Sequence, residues 1–174
     1  MSKIPRLVIG TANRKKGEEL AELFAKVGVN LLTLADFPGI PPIPEVGETF
    51  AANAILKASG YAARLGEWVL ADDSGLSVDA LHDEPGVFSA RYAGPKATDE
   101  QNNQVLLEKL ASTPSEGRSA QFVCHIAIAD PTGAIRAESE ASCRGRILLS
   151  LTAIKVSDTT RSSRFSNIIV RLPN

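Results

Sequence analysis

The sequence is poor in the residues on which several kinds of chemistry depend, with two cysteines, two histidines and a net charge of -1. Cys124 and Cys143 lack the close pairing of a zinc or thioredoxin motif, and in a reducing compartment they read as buried thiols. Lys plus Arg total 19 against 20 acidic residues, so no global basic field exists to hold a nucleic acid polymer, and any anion must be gripped locally. No apolar stretch reaches the roughly 18 residues of a membrane span. The short apolar run near the start lies between charges and is too brief for a secretory leader, so the chain reads as cytoplasmic with no membrane partner. There is no G-x-S-x-G elbow and no Cys-His signature, which leaves nucleophilic hydrolase chemistry without its parts. His125 falls inside an apolar strand pattern and reads as structural.

What is present is the material of one globular domain, 174 residues of which 44% are hydrophobic. Residues 6–12 form a β-branched run ending in Gly and Thr, followed by helical periodicity over 15–27. Residues 29–34 read as a second strand, and 38–48 as a loop too rich in proline for regular structure. A helix is expected from about Thr49, with Gly66 as its C-cap and with Asn53 and Lys57 on one side. Residues 68–71 read as a strand that delivers Asp72 and Asp73 at its end, before a Ser-Gly turn. Thr98 and Gln101 make a capping box for a helix over 99–111, and 121–130 with 134–143 read as a β-hairpin. Strands and helices without a strict repeat indicate an α/β fold around a mixed sheet. From about residue 148 the Ser, Thr and Arg-rich texture fits neither period.

Two clusters could carry chemistry. Thr11, Ala12, Asn13, Arg14, Lys15 and Lys16 stand at the turn from the first strand into the first helix. Three cations there oppose the helix dipole by about 0.3–1 kcal/mol each. A bound polyphosphate would reverse that cost, and a solvated basic turn is the plainer alternative. Asp72 and Asp73 are adjacent carboxylates whose repulsion is relieved by a divalent cation, by proton uptake or by splaying apart. Glu45 and Glu48 in the proline-rich loop are candidates for a further ligand.

Taken together, T-x-N-x-x-K at 11–16, F-x-x-N-A-x-x-K-A at 50–58, A-D-D-S-G-L at 71–76 and S-A-R-Y at 89–92 resemble the inosine triphosphate pyrophosphatase family, the XTP/dITP diphosphatases. The resemblance covers roughly residues 6–147 and implies an elongated, two-lobed α/β fold around a mixed twisted sheet, and a homodimer. It implies magnesium-dependent hydrolysis of non-standard purine nucleoside triphosphates (inosine, deoxyinosine, xanthosine) to monophosphate and pyrophosphate. Carried onto this chain, it gives Thr11 through Lys16, Asn53 and Lys57 to the triphosphate and Ser74 to the substrate. Asp73 becomes the carboxylate that activates water and helps hold magnesium, with Asp72 and Glu45 as further metal ligands. Position 44 is proline where some relatives carry another acid.

The resemblance stops near Ile147, dividing the chain into a pyrophosphatase domain over 1–147 and a tail over 148–174. The family's G-F-G-Y-D-P loop and S-H-R segment, which recognise the purine, do not occur there. An inactive nucleotide-binding or dimer-partner protein is therefore the alternative function. The stretch KVSDTTRSSRF, Lys155 to Phe165, can be encoded by codons whose bases, read from the third position of the Lys155 codon, translate as GFGYDPLFEI. A frameshift between Ile147 and Lys155 is the expectation, leaving an irregular tail and hairpin strands short of cover.

Overall fold

A computed structural model describes residues 6–11, 13–24 and 28–148 of the chain. The tail after 148, and with it the expectation of an irregular C-terminus, lies outside the described residues. The order is β1 (Arg6–Ile9), α1 (Arg14–Phe24), β2 (Asn30–Thr33), α2 (Phe50–Leu65), β3 (Trp68–Val78), α3 (Asp99–Lys109), β4 (Ser119–Ala129) and β5 (Ile135–Arg146), with short 3-10 turns between. The five strands form one sheet in the order β2-β1-β3-β4-β5. β1 pairs in parallel with both β2 and β3, while β4 and β5 are joined by a tight turn in which Asp130 N–H donates to Ala134 O. The mixed α/β sheet is thus as expected.

The chain divides into two compact units, one containing the residues up to Asp73 with His125–Glu140, the other Ser74–Cys124 with the residues from Ala141 on. In the first, Ala54, Ala58, Tyr61 and Ala62 make the buried stripe of α2 and pack on Val8, Val69 and Ala71. These residues recur every three or four positions, and three of the four are small, so helix and sheet approach closely. Thr49 caps the helix by accepting from Ala52 N–H at 3.1 Å. Gly66 ends it in the left-handed region at φ 64°, as its place in the sequence predicted. The core of the second unit is Leu76, Val78, Leu106, Leu110, Ala120 and Ile147. There the buried Arg118 donates to Leu110 O and Thr113 O, both at 2.8 Å, satisfying carbonyls past the end of α3.

The cysteines and β3 differ from expectation: Cys143 is exposed on β5 and Cys124 half-buried on β4, where buried thiols were expected. β3 continues through the anticipated Ser-Gly turn to Val78, so Asp72 and Asp73 stand inside a strand and not at its exit. The proline-rich loop has no helix or strand over 38–48, as expected, and is tied to α2. Arg64 Nη1 donates to Pro41 O at 2.9 Å, Ile43 N–H to Tyr61 Oη at 3.3 Å, Lys57 Nζ to Glu45 Oε1 at 3.1 Å and Gly47 N–H to Asn53 Oδ1 at 2.8 Å. Alternate loop residues 41, 43, 45 and 47 meet one face of the helix in reverse order, which makes the segment an extended strap along α2.

Candidate active site

Side chains alternate along a strand, so the neighbours Asp72 and Asp73 leave opposite faces of β3. Each meets a lysine from a different helix. Lys16 Nζ, from the first turn of α1, donates to Asp72 Oδ2 at 2.6 Å. Lys57 Nζ, from α2, donates to Asp73 Oδ1 at 3.1 Å and also holds Glu45. The register of β1 with β3 ends at Ile9 and Leu70, so both aspartates lie just past the carboxyl end of β1. The chain leaves β1 for β2 on one side, and β3 lies on the other. That is the switch point at which open α/β sheets hold ligands. All of these residues belong to the first unit.

The second oxygen of Asp73 accepts from Asn53 Nδ2 at 3.2 Å. Burial is the largest influence on this carboxyl and raises its pKa above the usual 3.8, with Lys57 opposing the rise incompletely. Burial would by itself lower Lys57, but Asp73 and Glu45 outweigh it and hold the ammonium above its usual 10.5. Asp72 is 4% exposed and its Oδ1 has no hydrogen-bond partner among the described residues. A buried carboxylate oxygen left over in this way suits a hard cation. Among the described residues no three His, Cys, Asp or Glu side chains form a complete metal cage. The donor set therefore fits an ion held by one or two carboxylates, with water and phosphate oxygens completing its shell, the usual habit of magnesium.

The structure gathers these residues in two sets, Lys16 with Asp72, and Lys57, Asn53 and Glu45 with Asp73, and it alters several sequence-based expectations. The aspartates relieve their repulsion by facing opposite sides with a lysine each. Asn53 is fully buried and its amide is engaged at both ends by protein, so it supports Asp73 where the resemblance would turn it to the phosphates. Asn13 Oδ1 accepts from Lys16 N–H at 3.4 Å and Thr11 Oγ1 from Asn13 N–H at 3.2 Å, so both side chains build the first turn of α1. Ala12 lies outside the described residues, as do the side chains of Arg14 and Lys15. Ser74 follows Asp73 in β3 and is half-buried. Glu48 is exposed and makes no part of the cluster. His125 is buried on β4 between Glu138, 3.1 Å from Nε2, and Glu140, 3.4 Å from Nδ1, and keeps its structural reading. Gly47, which ends the strap on Asn53, carried no sequence signal beyond its place after a proline run.

The sequence matches the Ham1 family over residues 7–153. The chain belongs to the Ham1 family. Among curated proteins it is 47% identical over 147 residues to a dITP/XTP pyrophosphatase of Rhodopirellula baltica, an alignment spanning 84% of this chain and 71% of that one. It is 49% identical over 146 residues to a dITP/XTP pyrophosphatase of Desulforamulus reducens, with 84% and 72% covered. Among solved structures, a HAM1 protein from Coxiella burnetii superimposes with a TM-score of 0.75 at 37% identity, over 84% of this chain and 75% of the other. The nucleoside-triphosphatase, or dITP/XTP pyrophosphatase, of Mycobacterium abscessus gives 0.72 at 38% identity over 83% and 75%. The Ham1 match contains every site residue discussed above, from Thr11 to Ser74.

Proposed function

We propose that this Ham1 protein hydrolyses non-standard purine nucleoside triphosphates, the inosine, deoxyinosine and xanthosine forms, to monophosphate and pyrophosphate with magnesium. The observation that carries the reading is the pair of aspartates past the carboxyl end of β1, each held by a lysine of its own, with one buried Asp72 oxygen that finds no hydrogen bond among the described residues. The names of the relatives support the substrate class. Magnesium would be held by one or two of these carboxylates, Asp72 on one face of β3 or Asp73 with Glu45 on the other, and when bound supplies charge neutralisation on the phosphate oxygens.

The chain's own groups account for the rest. A triphosphate competes with the carboxylates for the ammonium groups of Lys16 and Lys57, which then carry the charge of the phosphate oxygens. The N-terminal turn of α1, with Thr11 and Asn13, adds donors to the same anion, and Ser74 contacts the substrate. Asp73, raised by burial, takes the proton from the water that attacks the α-phosphorus, and pyrophosphate leaves. No covalent nucleophile is required. A homodimer in the cytoplasm, taking no nucleic acid polymer, belongs to the same proposal. Among the described residues no helix is long and apolar enough to cross a membrane.

The purine half of the site is assigned to a C-terminal segment whose frame is shifted in this chain. Two features support that reading, the end of the family match at residue 153 and the exposure of every β5 residue from Arg136 to Arg144. Incubation with inosine triphosphate and magnesium tests the activity. Inosine monophosphate with pyrophosphate is expected. Binding without turnover would favour the inactive partner, and release of orthophosphate a different hydrolase.

A further inference from the structure

We propose that Gly47 and Asn53 form a positioning latch, in which one buried amide ties the end of the strap carrying Glu45 to the Asp73 carboxylate. The inference rests on the reading of Asp73 as proton acceptor. Asp73 Oδ1 is held by Lys57 at 3.1 Å and Oδ2 by Asn53 Nδ2 at 3.2 Å, so the carboxylate is fixed at both oxygens. Asn53 is itself oriented from its other end, where Oδ1 accepts from Gly47 N–H at 2.8 Å. The amide fits in one sense only. Turned over, it would set its carbonyl against a carboxylate and its NH2 against an N–H. The strap therefore determines which way the amide points, and the amide determines the angle Asp73 presents.

Gly47 is required for a steric reason. A Cβ there would lie 2.7 Å from Ala52 Cβ and 2.8 Å from Asn53 Oδ1, so any larger residue must displace the acceptor. Because Lys57 holds both Glu45 and Asp73 one turn further along α2, the latch sets the acidic loop and the carboxylate as one body. Gly47 and Asn53 are positioning residues, acting through Asp73 without touching the reacting atoms.

The test uses the full chain as wild type, Gly47→Ala, Asn53→Ala, Asn53→Asp and Asp73→Ala. Turnover of inosine triphosphate with magnesium is measured alongside hydrogen exchange of the Gly47 amide. Gly47→Ala and Asn53→Asp, folded by circular dichroism, are expected to lose roughly 10- to 100-fold in kcat with little change in KM, the cost of removing a supporting partner. Asn53→Asp keeps the acceptor for Gly47 but puts a second carboxylate against Asp73. It should leave the Gly47 amide protected and rescue no turnover relative to Asn53→Ala. Coupling is reciprocal, so Asp73→Ala should speed exchange at Gly47 although the two residues do not touch. Wild-type kcat in folded Gly47→Ala, or unchanged Gly47 exchange in Asp73→Ala, would overturn the latch. Absence of wild-type turnover would instead count against the proposed function, and the exchange measurement would then decide the latch alone.

Discussion

Asp73 is asked to be both buried and charged, and its surroundings meet the demand with one lysine and one amide. Asp73→Asn keeps the volume and removes the proton acceptor. Turnover is expected to fall by at least about 100-fold, the low end for loss of a general base, with an unchanged circular dichroism spectrum. A rate near wild type would remove Asp73 from the mechanism. Lys16→Ala withdraws one positive charge from the triphosphate, so its main effect is expected on KM for inosine triphosphate, read from steady-state kinetics. An unchanged KM would leave Lys16 as the partner of Asp72 with no part in binding the triphosphate. The acidic pair and Lys16 stood out in the sequence because two adjacent like charges, and cations at a helix start, need partners, whereas Lys57, inside α2, was given by the family resemblance. The duties of Asn53, Thr11 and Asn13 were not legible. An amide or hydroxyl has several ways to be satisfied, and only the fold shows that Gly47 takes the oxygen of Asn53.

At the scale of elements, helix ends were the most readable feature because their signals are local. Thr98 accepts from Gln101 N–H at 3.3 Å while Gln101 Oε1 accepts from Thr98 N–H at 2.8 Å, the reciprocal box read from the sequence. Thr98→Ala is expected to cost about 1 kcal/mol in chemical denaturation, as loss of an N-cap does. The extension of β3 past Asp73 was not readable, since Asp-Asp-Ser-Gly has the composition of a turn and only sheet pairing with tertiary partners makes it strand. The strap was equally silent, being held by α2 and by no pattern of its own. The β4–β5 turn gives a pH test. Asp130 accepts from Thr132 N–H at 2.8 Å, Thr132 Oγ1 at 2.6 Å and Arg136 Nε at 2.7 Å, and its pKa falls from 3.8 to about 2 with those hydrogen bonds as the main cause. A carboxyl depressed on folding contributes stability that is complete above its unfolded value and lost as pH falls through its folded one. The gap in melting temperature between wild type and Asp130→Asn should therefore be constant above about pH 5 and close between pH 4 and pH 2. A gap independent of pH would show that the turn does not depend on this charge.

For the whole molecule, the two lysine–aspartate pairs, with Asn53 and Glu45, lie within the first unit. The sheet order and helix placement explain why they form there: β1 and β3 run parallel as neighbours, and α1 and α2 each bring one lysine to opposite faces of β3. If the frame is shifted as proposed, restoring it beyond Ile147 is expected to raise turnover of inosine triphosphate and to create a preference for it over adenosine triphosphate, measured side by side. Equal rates and preferences in the two chains would reject the frame assignment. The central claim is that this site directs water to the α-phosphorus of a nucleoside triphosphate, and the most direct measurement is hydrolysis of inosine triphosphate by the frame-restored protein in oxygen-18-labelled water. The label is predicted in inosine monophosphate, with none in pyrophosphate and with incorporation by Asp73→Asn slowed at least about 100-fold; label in pyrophosphate or in orthophosphate would contradict it.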